Sequence, residues 1–189
     1  MTTVTIIGKG NMANAIGGVV ASGGSTVEYA GREGDTVTGD IVVLAVPYPE
    51  VDAVIATYGD ALAGKTIVDI TNPLDFATFD GLVVPADSSA AAVIAGKIPG
   101  AKVLKAFNTT LAATLTSKTV GGLPTTVLIA GDDDAAKDAL AELITAGGLR
   151  AMDAGSLKRA RELEAIGFLQ ISLAASERIS WTGGFAVAP

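Results

Sequence analysis

Residues 4–18 read VTIIGKGNMANAIGG, and this stretch narrows the possible folds more than any other part of the chain. An apolar, strand-like run over 4–7 passes straight into Gly8-x-Gly10-x-x-Ala13. The residues that follow are helical in period, with Met12, Ile16, Val19 and Val20 on one face. Strand, glycine turn and helix in that order open a βαβ unit. Gly8 permits the tight turn, Gly10 removes a side chain where a pyrophosphate must approach, and Ala13 lets helix and strand pack closely. The helix N-terminus then offers free amides and partial positive charge to phosphate, worth roughly 0.3–1 kcal/mol and up to about 2 kcal/mol when partly buried. A purely structural glycine turn is the alternative; the agreement of strand, loop and helix favours a dinucleotide site.

The rest of the chain repeats the alternation. Strands are expected at Thr26–Ala30, 41–46, 66–70, 102–106, 125–130 and 149–152. Between them lie a helix from Pro49 closed by Gly59, an alanine-rich helix capped by Ser88 or Ser89, and a helix capped by Asp132 and ended at Gly147. A long final helix opens at Ser156 and reaches about Ile179. IVVLAV at 41–46 is apolar on both faces, as a central parallel strand is. The fold expected is α/β: a Rossmann-type, doubly wound, mainly parallel sheet with a long C-terminal helix. The second and third strands are separated only by GREGDTVTGD, too little for a helix, so a bare loop or single turn is expected there.

The tip of the second strand bears on which dinucleotide binds. NAD sites place Asp or Glu there, on the ribose 2′-hydroxyl. Here Glu28 lies inside the strand and the tip is Gly31-Arg32. Lys9, in the first turn, is adjacent to that tip in such a sheet, so Lys9 and Arg32 can converge on a 2′-phosphate. At about 1.5 kcal/mol per charge-assisted contact, the pair gives ~3 kcal/mol, on the order of a hundredfold preference for NADP. Two solvated surface cations, or NAD held through Glu28, are the alternatives.

Composition sets the outer limits. The chain has 189 residues, 49% of them hydrophobic, with net charge −7 and neither cysteine nor histidine. That excludes disulfides, thiolate chemistry, the usual zinc ligand sets and a histidine general base. An acidic chain is a poor match for nucleic acid or an anionic membrane. The opening MTTVTIIG lacks a basic segment and the apolar stretch 165–175 is too short to span a bilayer, so a cytoplasmic protein is expected.

GKGNMA at 8–13, GR at 31–32, AVPY at 45–48, DITNPL at 69–74, KAFNT at 105–109, AGDDD at 130–134 and DAGSLKRARELE at 153–164 run along nearly the whole chain. In this order they resemble the NADP oxidoreductases dependent on the deazaflavin coenzyme F420. Related groups are the dinucleotide-binding oxidoreductases of bacteria and the cytosolic domain of the STEAP ferric reductases. GNMA is also similar to the start of pyrroline-5-carboxylate reductases, which carry a larger helical C-terminal domain than this chain has room for. The resemblance implies NADP as cofactor, with Gly8, Lys9, Gly10, Asn11, Met12, Ala13, Gly31 and Arg32 at its adenosine and pyrophosphate half. It implies Ala45, Val46, Pro47 and Tyr48 along the coenzyme, and Asn72, Pro73, Phe107, Asn108 and Thr109 near the nicotinamide.

Hydride transfer between two ring systems needs alignment and exclusion of water more than acid–base groups. No residue is therefore assigned as catalytic and no metal site is expected; Asp69, Asp75 and Asp87 read as caps or loop carboxylates. The acceptor implied is a small molecule: a deazaflavin, a flavin or a ferric chelate. A non-catalytic NADP(H) sensor and a small imine or carbonyl reductase, for which Tyr48 would be the residue to check, are the other readings. The expected organisation is a dinucleotide-binding domain over 1–154 and a C-terminal helix and tail over 155–189. IGFLQISLAA is apolar nearly all round, which suggests packing on the sheet and on a second subunit; plain core packing is the alternative, and the resemblance implies a homodimer.

Overall fold

The computed structural model describes residues 2–31 and 34–188. In chain order it builds β1 (Thr3–Ile7), α1 (Asn11–Ser22), β2 (Thr26–Ala30), β3 (Ile41–Leu44), α2 (Val51–Leu62), β4 (Thr66–Asp69), α3 (Ala90–Lys97) and β5 (Lys102–Lys105). There follow α4 (Ala112–Ser117), the hairpin β6 (Thr119–Val120) and β7 (Leu123–Pro124), β8 (Thr126–Gly131), α5 (Asp134–Ala146), β9 (Arg150–Gly155) and α6 (Ala160–Ala175). Seven strands form one sheet in the order β2-β1-β3-β4-β5-β8-β9. All neighbours in it are parallel except β5 and β8.

Period-two alternation explains why helices cover both faces. Val4 and Ile6 of β1 and Ile41 and Val43 of β3 enter one core, with Ile16 and Val19 of α1 and Leu140 and Ile144 of α5. Ile7, Val42 and Leu44 enter the other, with Val54 and Leu62 of α2 and Ile94 of α3. Strands apolar on both sides are stable only when both sides are covered. The chain leaves β1 toward β2 on one side and builds β3, β4 and β5 on the other. This reversal opens a crevice above the carboxyl ends of β1 and β3, where doubly wound sheets bind ligands.

Several local expectations are corrected. Gly59 does not close α2, which continues to Leu62 because Leu62 is fully buried in the core; the left-handed residue beyond the end is Gly64, at φ 74°. Asp133, not Asp132, caps α5, its Oδ1 accepting from Ala136 N at 2.8 Å; Asp132 instead accepts from Leu157 N at 2.9 Å. Ser89 is the cap of α3, accepting from Ala92 N. The final helix begins with a 3-10 turn at Leu157–Arg159 and stops at Ala175, short of Ile179. The region between β5 and β8 holds α4 and a hairpin, and β8 then returns antiparallel, which needs no covering crossover helix. No helix occurs among the described residues of the 31–40 connection. Among the described residues no helix is long and apolar enough to cross a membrane.

The helix α6 places two polar side chains among its buried residues and leaves two apolar ones outside. Glu164 and Gln170 are buried, while Ile166 and Leu169 are exposed. Lys105, Asp69 and Glu164 all have side chains of zero exposure. Lys105 Nζ donates to Asp69 Oδ2 at 2.8 Å and to Thr71 O at 2.6 Å, and lies 2.8 Å from Glu164 Oε1. An ammonium has three N–H groups, and here three acceptors meet it. Glu164 also accepts from Ala90 N at 2.9 Å and Ala91 N at 3.3 Å, at the start of α3. A buried pair with all its hydrogen bonds made is tolerated, whereas removing one partner strands the others. Lys105→Met should therefore lower the free energy of urea unfolding by about 3–5 kcal/mol. Lys97→Met, at the exposed pair with Asp52, should change it by no more than about 1 kcal/mol.

Burial holds the Glu164 carboxyl above the usual glutamate range; the charge and hydrogen bond of Lys105 and the Ala90 amide oppose this only in part. Such a carboxyl binds a proton more readily in the folded chain than in the unfolded one. Its ionised form therefore costs stability above its folded pKa, and that cost disappears as pH falls toward the usual glutamate range. Urea midpoints of wild type and Glu164→Gln, compared over pH, should shift in favour of the wild type as pH falls through that window. Above it the difference should stay flat.

Candidate functional site

Two adjoining pockets form one groove over the crevice. The larger, about 690 Å³, is lined by Gly8, Lys9, Gly10, Gly31 and Ala45–Pro47, together with Asp35 and Glu50. The smaller, about 330 Å³, shares Gly10 and Ala45–Pro47 and continues past Asn11, Met12 and Tyr48 to Thr71 and Asn72, with Phe76 and Ile171 on its far side.

The glycine turn is shaped by close approach. Gly8 has φ 126°, and a Cβ there would lie 2.2 Å from Ala45 O, so the first turn packs directly on the strand beside it. Gly8 N donates to Ala30 O at 3.0 Å and Ala45 N to Ile7 O at 2.9 Å, tying three strand ends together. Gly10 differs: a Cβ there would meet nothing within 4 Å, leaving room above it. It is the N-cap of α1, and no side chain caps that end. The start of a helix thus borders the groove with its backbone amides uncapped by side chains, an arrangement suited to phosphate. Ala13 is fully buried beneath the turn and touches the core rather than the groove.

At the outer end, a Cβ on Gly31 would lie 3.8 Å from Lys9 Nζ, which places the lysine beside the tip of β2. Arg32 lies outside the described residues. Glu28 is not among the residues lining the groove; its Oε2 accepts from Thr38 Oγ1 at 2.5 Å. Asp35 is a lining carboxylate that the sequence pattern did not point to. Its Oδ2 accepts from Gly31 N at 2.6 Å, and both residues are held by Tyr58, whose hydroxyl donates to Gly31 O at 2.8 Å and accepts from Asp35 N at 3.1 Å.

At the inner end, Asn72 is placed by partners from distant segments. Its Nδ2 donates to Asn108 O at 2.9 Å, and Asn108 Nδ2 donates to Asn72 Oδ1 at 3.0 Å and to Leu163 O at 2.8 Å. Asn108 follows Phe107, held at φ 61° in a γ-turn in which Asn108 N donates to Ala106 O at 2.8 Å. Such a conformation is strained for an aromatic residue, and burial of the ring supports it. Gly167 of α6 makes room for the amide pair: a Cβ there would lie 2.2 Å from Asn72 Oδ1. Pro73, Phe107, Asn108 and Thr109 are buried and stand behind Asn72 rather than lining the groove.

Tyr48 lines the inner pocket, and burial, opposed by nearby Lys97, pushes its hydroxyl pKa up, so the phenol keeps its proton. Asp75 shapes the next loop by accepting from Ala77 N at 2.9 Å and Thr78 Oγ1 at 2.8 Å. That loop presents Phe76, 54% exposed and packed edge to face on Phe79 with ring centroids 5.8 Å apart. Neither Trp181 nor Phe185 lines the groove. Among the described residues no group of His, Cys, Asp and Glu is placed to hold a metal ion.

A family model described as NADP oxidoreductase, coenzyme F420-dependent, matches residues 27–73. The chain is 32% identical over 149 residues to the F420-dependent NADP reductase of Methanocaldococcus jannaschii, covering 77% of this chain and 66% of that protein. It is 32% identical over 180 residues to the metalloreductase STEAP3 of Rattus norvegicus, covering 86% of this chain and 36% of that one. The chain therefore spans about two thirds of the first relative's length and about a third of the second's. A solved structure from Arthrobacter sp. FB24, described as a candidate F420-dependent NADP reductase, is 24% identical over the whole of both chains with a TM-score of 0.84, and so shares the fold.

The two glycines of the turn should respond differently to substitution. Gly8→Ala meets both the carbonyl of Ala45 and an unfavourable φ, and should lower unfolding free energy by about 3 kcal/mol. Gly10→Ala faces open space and should change it by less than about 1 kcal/mol. Urea titrations of the two variants check this.

Proposed function

This chain belongs to the family of coenzyme F420-dependent NADP oxidoreductases, and we propose that it binds NADP(H) along the groove and passes hydride to or from a deazaflavin or flavin-like acceptor. The observation that carries the reading is the continuity of the groove: a cation at its outer end, an open glycine turn and an uncapped helix start in the middle, and an apolar wall at its inner end.

Lys9, beside Gly31, is the proposed partner of the 2′-phosphate, with Arg32 assigned to the same phosphate from its place in the sequence. Gly8, Gly10, Asn11 and Met12 border the pyrophosphate, and the space above Gly10 fits a group that tolerates no side chain there. Ala45, Val46, Pro47 and Tyr48 lie along the coenzyme, and the Asn72 amide, held by Asn108, fixes the nicotinamide end. Bound there, the nicotinamide supplies the hydride, two electrons with one proton. The chain's own task is alignment and the exclusion of water, with Phe76 and Ile171 offering an apolar wall for an acceptor ring. No acid–base side chain is required for that, and none is assigned.

Exposed Ile166 and Leu169 on α6 are the proposed seat of a second subunit, and a cytoplasmic location is part of the same proposal. The acceptor is tested by following nicotinamide absorbance with NADPH and, separately, coenzyme F420, FMN, FAD and a ferric chelate. Oxidation is expected with the deazaflavin or a flavin; tight NADPH binding with no acceptor turning over would instead support a sensor. Lys9→Ala should weaken NADPH binding by about tenfold, the equivalent of one charge-assisted contact, and leave NADH binding within about twofold.

A further inference from the structure

A carboxylate at the tip of the second strand is what favours NAD over NADP in dinucleotide-binding sheets. In the linear sequence this chain has none there; in space it does. Asp35 Oδ2 accepts from the Gly31 amide at 2.6 Å. Tyr58, buried on α2, fixes that contact by bonding both Gly31 O and Asp35 N. Asp35 Oδ2 and Lys9 Nζ lie 3.3 Å and 3.8 Å from one point beside Gly31, and both line the outer pocket. Among the described residues, the outer end of the groove therefore carries one anionic and one cationic side chain close to the same point.

We propose that Asp35 is a specificity-determining residue: its carboxylate accepts from the ribose 2′-hydroxyl of NAD and repels the 2′-phosphate that Lys9 attracts, so the site takes both coenzymes. This rests on the NADP(H) reading of the groove. Oδ2 is engaged by the Gly31 amide, and the second oxygen of the carboxylate serves the ribose. A 2′-phosphate drawn to Lys9 lies within Coulomb reach of Asp35, and at a solvent-exposed position that repulsion is on the order of a fewfold in affinity. Tyr58 acts through Asp35 and is a positioning residue.

Fluorescence or calorimetric titration with NADPH and NADH, and with the fragments 2′,5′-ADP and 5′-ADP, tests the proposal in wild type, Asp35→Asn and Tyr58→Phe. In Asp35→Asn, NADH binding should weaken about fivefold and NADPH binding tighten about twofold, raising the NADPH-to-NADH affinity ratio about tenfold. The fragments should reproduce the change, which locates it at the adenosine end. Tyr58→Phe should move the ratio in the same direction by a smaller factor. A ratio within twofold of wild type in Asp35→Asn, with NADPH still bound, overturns the role of Asp35. A parallel fall in both affinities overturns it as well, since that marks a loop with only a structural part. If the wild type binds neither dinucleotide, the NADP(H) reading falls first and this proposal with it.

Discussion

A fully buried ammonium is the constraint around which the inner half of the molecule is arranged. Lys105 has no access to water, so each of its three N–H groups needs an acceptor from the protein. Asp69 supplies one from the neighbouring strand, Thr71 one from the loop that follows, and Glu164 one from α6. Glu164 in turn takes two amides at the start of α3. A single charge thereby joins two strands, one loop and two helices. Apolar residues of the same volume would pack there equally well, but they would not fix the relative positions of those elements.

The position of α6 follows from this, and the groove follows from α6. With Glu164 anchored, the same helix face brings Gly167 against Asn72 and Gln170 against Thr109 O, to which Gln170 Nε2 donates at 3.3 Å. Residues 164, 167 and 170 are spaced by three, so they share one side of the helix. That side is polar or small because it meets the backbone and amides of the 105–110 segment. The opposite side keeps Ile166 and Leu169, exposed in the single chain. Asn72 is thus held from behind by parts of the chain that lie far from it in sequence.

How much of this could be read in the sequence depends on the range of the interaction. The strand-turn-helix at 4–18 is local, and both its elements and its glycine turn are where the residue pattern puts them. The two-sided apolar strands are local too. Helix ends were less readable: Gly59 is half-buried and its cost of about 1 kcal/mol is outweighed by burying Leu62 a turn later. Of the adjacent acids Asp132 and Asp133, either can cap, and only the geometry shows which one does. In α6 a run that is apolar nearly all round does not show which side is buried, and hydrogen bonds of Glu164 and Gln170 settle it together with Leu163 and Ala174. Asp35 is hidden for a similar reason: its place beside Gly31 rests on Tyr58, on another element, which bonds both residues.

The same distinction divides the groove. The side proposed for the coenzyme is made of the turn at 8–13, the end of β3 and the tip of β2, three short segments that each carry a recognisable pattern. The side proposed for the acceptor is made of Phe76, Ile171 and Tyr48, whose meeting depends on the anchored helix and on a loop shaped by Asp75. A relative can therefore keep the first side while changing the second through the α6 anchor or the 75–83 loop. Two proteins that share the coenzyme half need not share an acceptor, because the walls facing that acceptor are set by long-range contacts. An apolar, partly exposed wall beside a fixed amide selects for a flat ring that can cover it and displace water. A hydrated metal complex gains little from such a surface, and that is the physical ground on which a ring acceptor is the one proposed.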